Sequence, residues 1–285
     1  MELIRGIDNQ FSYLHYFRSI RQNWFDDLMK YREIKRIFKH DLITTFFQPI
    51  KNIQTDETIG YEALNRPPVS KWIPNTEQFY EYIGRTNKIF LFEMYCRHAS
   101  IKNFSKNIEK QPSEKGKLLF INIQPDVLID SKYKPGETIQ LIREFGLQPE
   151  QIVFELTEKK ALTDFKMFEK VMYNYRAQGF RLAVDDAGSG YNSLKTLVHL
   201  RPEFIKLDRS LIHNISQNEA QQKMVSLLLD YANQLNTFVI AEGIEETEDL
   251  HFLKTIGIHF GQGYALGHPN RCLAPPEICR KNQLA

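Results

Sequence analysis

Two adjacent carboxylates, Asp185 and Asp186, end an apolar run in the sequence LAVDDAGSGYNSL, residues 182–194. A β-strand alternates its side chains between two faces, so neighbouring residues serve one ligand only where the strand has ended and the chain turns. Gly188 and Gly190 are expected to supply that turn. Two carboxylates this close destabilise each other's ionised form unless a cation, such as a divalent metal ion, lies between them. The alternative is an ordinary loop in which one Asp caps the next helix and the other is solvated.

Other apolar runs of the chain also end in side chains of the kind that bind metal ions or phosphate. These residues are Glu62, Asn122, Glu155, Lys206, Glu242 and Gln262. If the runs are strands of one barrel, their carboxyl ends meet at the rim where such barrels have their active sites. Oxygen ligands without Cys or His favour Mg²⁺ or Mn²⁺ over Zn²⁺. This many ligands favour two ions bridged by one Asp, an arrangement that hydrolyses phosphodiesters.

The order of strand-like and helical patterns predicts the fold class. Apolar, β-branched or aromatic runs lie at residues 43–49, 58–64, 118–123, 152–157, 180–186, 204–208, 237–243 and 261–267. Helical patterns between them lie at residues 88–107, 137–146, 164–178, 219–235 and 246–256. Strands that alternate with helices in this way predict an α/β protein with a (β/α)8, TIM-like barrel.

The first two runs depart from this alternation, because only the segment KNIQTDET separates them. It is too short for a helical crossover between parallel strands. We therefore expect one antiparallel strand in the barrel. An open, doubly wound sheet is the structural alternative, but no G-x-G-x-x-G sequence follows a first strand to support nucleotide binding of that kind.

Composition excludes several classes of protein. The chain has 285 residues and a formal net charge of +2, which gives no general field for a nucleic acid polymer. Its apolar runs are too short for a membrane span, and its N-terminus lacks the apolar centre of a signal peptide. Cys96, Cys272 and Cys279 are too few and too scattered for a disulfide framework, which favours a reducing, cytoplasmic setting.

Residues 1–40 form a segment of a different kind. Aromatic and aliphatic residues from Phe11 to Phe38 recur at steps of three and four with Arg and Lys between them, which predicts an amphipathic helical extension. The pattern favours packing on the same domain or on a second copy of it. Peripheral association with a membrane surface is the alternative, but Asp26 and Asp27 interrupt the basic face.

Seven motifs resemble those of EAL-domain proteins, phosphodiesterases that linearise the bacterial second messenger cyclic di-GMP. In chain order they are YEALNR, FINIQP, FELTE, VDDAGSGYNSL, IKLDRSLI, IAEGIEE and GQGYALGHP. The resemblance covers about residues 41–270, and the predicted EAL domain spans residues 41–285. It implies a barrel with an antiparallel strand, hydrolysis of cyclic di-GMP to linear pGpG, dependence on Mg²⁺ or Mn²⁺, and a homodimer formed through the helices beside the Asp-Asp loop.

The resemblance also implies roles for individual residues. One metal ion is expected to be held by Glu62, Asn122, Glu155 and Asp185, and a second by Asp185, Asp186 and Glu242. Lys206 is expected to orient the attacking water or help to deprotonate it, with Glu245 in support and Glu158 steadying the Asp-Asp loop. The expected substrate contacts are Gln48 and Gln262 to the bases, Arg66 to a phosphate, and also Leu64, Asp208 and Pro269. The alternatives are a structural salt bridge for Lys206 and loop caps for Gln48 and Gln262.

Two segments depart from the family pattern. Ala187 replaces the Phe that commonly follows the second Asp, which affects the order of that loop and its coupling across a dimer. Gly84 and Arg85, in FYEYIGRTN, replace two glutamates, which indicates altered helix packing beside the site.

Every predicted ligand retains a competent side chain, so the sequence favours an active phosphodiesterase. A weak or inactive EAL domain that senses cyclic di-GMP or binds proteins is the second hypothesis. A metal-dependent aldolase barrel is the third, but it gives no reason for so many carboxylates.

Overall fold

The apolar runs form the strands of a closed barrel in a computed structural model that describes residues 21–22, 24–86, 89–124, 136–157, 165–188 and 200–273. The strands are β1 (Thr44–Asn52), β2 (Thr58–Arg66), β3 (Leu118–Asn122), β4 (Ile152–Thr157), β5 (Arg181–Ala187), β6 (Phe204–Leu207), β7 (Phe238–Ala241) and β8 (Phe260–Gly261). The barrel order is the chain order, β1 to β8, which confirms the predicted barrel and excludes the open sheet.

Strand β1 is the reversed strand that the short first connection predicts. From β3 to β8 each strand is parallel to the one before it, whereas β1 is antiparallel to β8. Lys51 pairs with Gly261 and Asn52 with Phe260 across the closing seam. Because β1 runs in the opposite direction, its amino-terminal half lies at the rim formed by the carboxyl ends of the other strands.

Helices connect most of the strands where the sequence predicts them. In the part of the chain that the structure describes, they are α1 (residues 24–39), α2 (Thr76–Gly84), α3 (Ile89–Lys110), α4 (Glu137–Glu144), α5 (Phe165–Ala177), α6 (Arg209–Ile212), α7 (Glu219–Gln234) and α8 (Thr247–Ile256). Apolar side chains such as Phe104, Phe154 and Leu228 fill the layer between strands and helices.

A separate apolar cluster fills the barrel interior. It consists of Ile50, Phe120, Val153, Ala183, Phe204 and Ile240. Each of these residues is at most 2% exposed to solvent. This layer, named here the apolar layer, closes the barrel below its carboxyl rim.

The last strand differs from the predicted run at residues 261–267, because β8 contains only two residues. Beyond it the backbone bonds to the loop that follows β7. Ile244 N–H donates to Gln262 O at 3.1 Å, and Ala265 N–H donates to Ile244 O at 3.0 Å. These loop contacts replace the ladder of a longer strand.

The chain divides into two compact units, residues 1–44 with 66–88, and residues 45–65 with 89–285. In the first unit α1 is helical as predicted, and it buries Ile34 and Ile37. Tyr82 of α2 donates through its hydroxyl to Asp27 O at 3.1 Å, so the described part of the N-terminal helix packs on its own chain. Residues 1–20 lie outside the described residues, and the predicted division at residues 40 and 41 stays a prediction.

No described helix combines the length and the apolar character that a membrane crossing requires. Cys96 is free and buried, whereas Cys272 is disulfide-bonded. The bond at Cys272 was not predicted, and it removes the support that the cysteines gave to a reducing compartment.

Candidate active site

A β-bulge in β5, just before the turn at Gly188, brings the two adjacent carboxylates together. The register of β5 against β6 shifts between Val184 and Ala187. Within that bulge Asp186 has a left-handed backbone with φ of 57°. A bulge of this kind re-aims a side chain without ending the strand. The expected turn at Gly188 is present, with φ of 97°. β5 continues through Ala187, so our expectation that the strand has ended at the two carboxylates was wrong. Gly190 lies outside the described residues.

Lys206 lies at the centre of the rim, one residue before the end of β6. Its side chain is 1% exposed, and its Nζ contacts four carboxylates. The distances are 2.6 Å to Glu242 Oε1, 2.7 Å to Glu155 Oε1, 3.3 Å to Glu62 Oε2 and 3.5 Å to Asp185 Oδ1. Four acids from β2, β4, β5 and the end of β7 thus meet around one ammonium group.

Three amide side chains complete this layer around Glu62. Gln262 Nε2 donates to Glu62 Oε2 at 2.7 Å and lies 3.2 Å from Gln48 Oε1. Asn122 Nδ2 donates to Glu62 Oε1 at 3.1 Å, which leaves its Oδ1 as the atom that a cation can use. Gln48 also donates to Gly267 O at 3.3 Å. We name these residues, the four acids, Asp186 and Lys206 together the polar layer.

Burial and neighbouring negative charge raise the pKa of two acids of the polar layer. Burial raises the pKa of Glu242 to about 8 and that of Glu155 well above its usual range, and nearby carboxylates add to both shifts while Lys206 opposes them. Burial lowers the pKa of Lys206, but the surrounding acids outweigh it and hold that pKa well above its usual value. Lys206 therefore stays charged, and one ammonium does not suffice to keep all of the acids ionised.

The donor set fits divalent cations. Carboxylate oxygens of Asp185, Asp186 and Glu242 all lie within 4.8 Å of one another. Glu155 is fully buried, and its Oε2 accepts no hydrogen bond from the described residues. A buried carboxylate oxygen without a donor is costly unless a cation approaches it. Hard oxygen donors are the ligands that Mg²⁺ and Mn²⁺ prefer.

The rim encloses a cavity of about 300 Å³. Its lining residues are Gln48, Glu62, Asp185, Lys206, Asp208, Arg209, Glu242, Gly243, Glu245, Gln262, Gly263 and Tyr264. The cavity therefore unites predicted ligands with Gln48, Asp208, Glu245 and Gln262, which the sequence placed in other roles.

The remaining predicted residues lie in different settings. Glu245 is exposed and pairs with Arg209 at 2.8 Å, while Asp208 accepts from Ser210 N–H at 3.0 Å and so caps α6. Leu64 and Pro269 are half-buried and are not among the lining residues. Arg66 is the exposed last residue of β2. Glu158 lies outside the described residues.

Four lining residues were missed in the sequence, namely Arg209, Gly243, Gly263 and Tyr264. Arg209 follows Asp208 in IKLDRSLI, and Tyr264 lies in GQGYALGHP, so both sit inside motifs that had drawn attention to their neighbours. Tyr264 is 56% exposed, and its ring stacks on His268 at 4.3 Å between centroids. These residues could have been predicted from the sequence, because they lie inside the motifs that contain the predicted site residues.

The departures from the family pattern also have structural settings. Ala187 is fully buried, and its O accepts from Asp208 N–H at 3.2 Å. The residues FYEYIG form most of α2, where Phe79 and Ile83 are buried, and Arg85 pairs with Glu81 after the helix ends.

A family model described as EAL domain matches residues 31–269. The chain belongs to the EAL-domain family. Among curated relatives of this EAL domain is the cyclic di-GMP phosphodiesterase PdeF of Escherichia coli (strain K12), which is 28% identical over 252 residues. That match covers 86% of this chain and 32% of PdeF. The chain thus spans about a third of the length of this curated relative.

Solved structures of other EAL proteins share the fold. A standalone versatile EAL protein from Vibrio cholerae O395, in a c-di-GMP bound form, is 30% identical with a TM-score of 0.69. That match covers 83% of this chain and 97% of the other. Klebsiella pneumoniae BlrP1, in a manganese and cyclic di-GMP complex, is 27% identical with a TM-score of 0.72, and the match covers 80% of this chain and 56% of BlrP1.

Proposed function

We propose that this EAL domain hydrolyses cyclic di-GMP to linear pGpG with Mg²⁺ or Mn²⁺ as cofactor. The observation that carries the proposal is the polar layer, in which Lys206 Nζ contacts four carboxylates within 3.5 Å. Such an excess of buried acid is costly for folding alone and is explained if cations bind there. The names of PdeF and of the two solved structures support the choice of cyclic di-GMP.

Two groups of residues are proposed to hold the cations. The first consists of Glu62, Asn122, Glu155 and Asp185, and the second of Asp185, Asp186 and Glu242. The second group has the support of the 4.8 Å spread of its oxygens. Two observations support the first group. Glu155 Oε2 accepts no hydrogen bond from the described residues, and Asn122 bonds to Glu62 through Nδ2, so its Oδ1 is the atom available to a cation. Bound there, divalent cations supply activation of a water and neutralisation of the phosphate oxygens.

Lys206 is proposed to orient the attacking water and not to remove its proton. A general base needs a pKa near the working pH, and the pKa of Lys206 is held well above its usual value. A charged ammonium is a hydrogen-bond donor, so it fixes the direction of a water lone pair and stabilises charge that develops on the phosphate.

Residues around the cavity are proposed to hold the substrate. Gln48 and Gln262 line the cavity and can bond to the edge of a guanine base. Glu245 is proposed to support the chemistry from the rim, through its ion pair with Arg209. The roles of the remaining predicted residues, Glu158 beside the Asp-Asp loop and Leu64, Arg66, Asp208 and Pro269 toward substrate, stay predictions.

Incubation of the protein with cyclic di-GMP and Mn²⁺, followed by chromatography, tests the proposal. The expected result is conversion to linear pGpG that EDTA stops. Binding of cyclic di-GMP without conversion, measured by calorimetry on the same preparation, would overturn the enzyme and favour a sensor.

We also propose that the chain acts in the cytoplasm as a homodimer. The first part rests on the proposed substrate, because a second messenger acts inside the cell. The second rests on the family resemblance alone. Light scattering tests it, and a monomer at micromolar concentration would contradict it.

A further inference from the structure

A buried ion pair on α3 lies behind the rim, outside the polar layer. Glu93 and Arg97 are one helical turn apart and are 6% and 1% exposed. Arg97 Nη2 donates to Glu93 Oε1 at 2.7 Å. We propose that Glu93 is a positioning residue for the metal ligand Asn122, an inference that rests on the proposed function.

Glu93 bonds directly to the chain that leaves β3. Its Oε2 accepts from Gln124 N–H at 2.8 Å, two residues after Asn122. The ladder between β3 and β4 ends just before this point, where Ile123 N–H donates to Glu155 O at 2.9 Å. Glu93 therefore holds the amide that follows the last ladder bond. It fixes the direction in which β3 ends, and with it the orientation of Asn122.

Arg97 holds Glu93 in place. Its Nη1 donates to Thr138 Oγ1 of α4 at 2.9 Å and to the hydroxyl of Tyr175 of α5 at 3.3 Å. The guanidinium is thus clamped between helices, and it fixes the carboxylate of Glu93 at i−4. Rigid support of this kind keeps a ligand side chain in its binding geometry, and its loss typically costs about 10- to 100-fold in metal affinity.

Paired substitutions separate this positioning role from the buried charges. In Glu93→Leu/Arg97→Met both charges are replaced by apolar groups of similar size, which buried ion pairs commonly tolerate. The acceptor for Gln124 N–H is lost, so Mn²⁺ affinity of the metal-free protein, measured by calorimetry, should fall about 10- to 100-fold. In Glu93→Gln/Arg97→Met a neutral acceptor remains, and the affinity should return close to that of the parent.

A second variant removes the donor and leaves the ion pair in place. Gln124→Pro deletes the N–H that Glu93 accepts, and it should weaken Mn²⁺ binding by a similar factor. If the Leu/Met variant fails to fold, this variant still decides the question. In an Asn122→Ala background neither change should cost further affinity, because the ligand that they position is absent.

The matched control lies on the same helix. Ser105 of α3 is buried, and its Oγ donates to Phe145 O at 2.8 Å, away from the rim. Ser105→Ala should lower stability and leave Mn²⁺ affinity unchanged. Parental affinity in both Glu93→Leu/Arg97→Met and Gln124→Pro overturns the positioning role but not the proposed function. A parent that binds no Mn²⁺ overturns both.

Discussion

The apolar layer and the polar layer lie in the same barrel, and their residues are two positions apart on each strand that contributes to both. On most strands the apolar residue comes first and the polar one follows at the second position after it. On β1, which runs in the opposite direction, the polar residue comes first. The pairs are Gln48 and Ile50, Phe120 and Asn122, Val153 and Glu155, Ala183 and Asp185, Phe204 and Lys206, and Ile240 and Glu242. Side chains two apart on a strand point to the same face, so both members of a pair face the barrel interior.

The two layers make opposite contributions to folding. The apolar layer stabilises the barrel because it removes side chains such as Phe120 and Phe204 from water, and their rings lie 5.3 Å apart. The polar layer gathers acids around Lys206, where burial, together with the neighbouring carboxylates, raises the pKa of Glu155 and Glu242. Charges that are costly to bury are retained where they serve function. Substitutions in the two layers should therefore separate activity from stability.

The largest effect is expected in the polar layer, at Glu62→Gln. The change removes one ligand charge and should lower turnover of cyclic di-GMP by at least about 10³-fold, equivalent to roughly 4 kcal/mol in the activation free energy. The melting temperature of the metal-free protein should stay the same or rise, because the repulsion among the acids falls. Glu114→Gln is the control, since Glu114 accepts from Tyr61 at 2.8 Å outside the cavity. Near-normal turnover in Glu62→Gln would contradict the assignment.

The next largest effect is expected in the apolar layer, at Phe120→Ala. A cavity in place of a fully buried ring should lower the free energy of unfolding by about 3–5 kcal/mol, measured in urea. The folded protein should still bind Mn²⁺. Asn122→Ala, two residues along the same strand, should show the reverse: weaker Mn²⁺ binding and little change in unfolding. Parallel losses in both variants would mean that the layers are not separable.

A smaller effect is expected at Asp186, in the bulge of β5 beside the polar layer. Asp186 has a φ of 57°, which glycine adopts without strain and alanine does not. Asp186→Gly should therefore be more stable than Asp186→Ala by about 1 kcal/mol in urea unfolding. Both variants lack the carboxylate, so both should lose Mn²⁺ affinity equally. Equal stability of the two would show that the left-handed backbone is absent in solution.

The alternation of the strands explains how much the sequence could predict. Apolar runs of strand length, each with a polar residue near its end, identified the barrel and most of the polar layer. The short link before β2 identified the reversed strand, because sequence separation limits how two strands can pair. These features are local, and a single sequence contains them.

The features that were missed depend on contacts across the fold. The bulge at Asp186 arises from the register of β5 against β6, which no window of sequence reveals. Glu93 and Arg97 lie on a helix, where charged residues are normally exposed, so nothing local indicated that both are buried. Strand β8 has only two residues because the chain beyond it bonds to the loop at Ile244, and those contacts form only when the barrel closes.

The smallest expected effect concerns the titration of His259, which stands next to the apolar layer. Burial lowers its pKa, and its Nδ1 accepts from Val239 N–H at 3.1 Å. As the pH falls through the usual histidine value of 6.5, the unfolded chain takes up a proton before the folded chain does, so acidification favours unfolding. His259→Asn keeps an acceptor and does not titrate. The difference in unfolding free energy between parent and variant should therefore shift against the parent between pH 7 and pH 5, whereas Mn²⁺ binding at pH 7 should not change. A constant difference across that range would show that His259 has the same pKa in the folded and the unfolded chain. The burial of His259 beside the apolar layer would then contribute nothing to the pH dependence of stability.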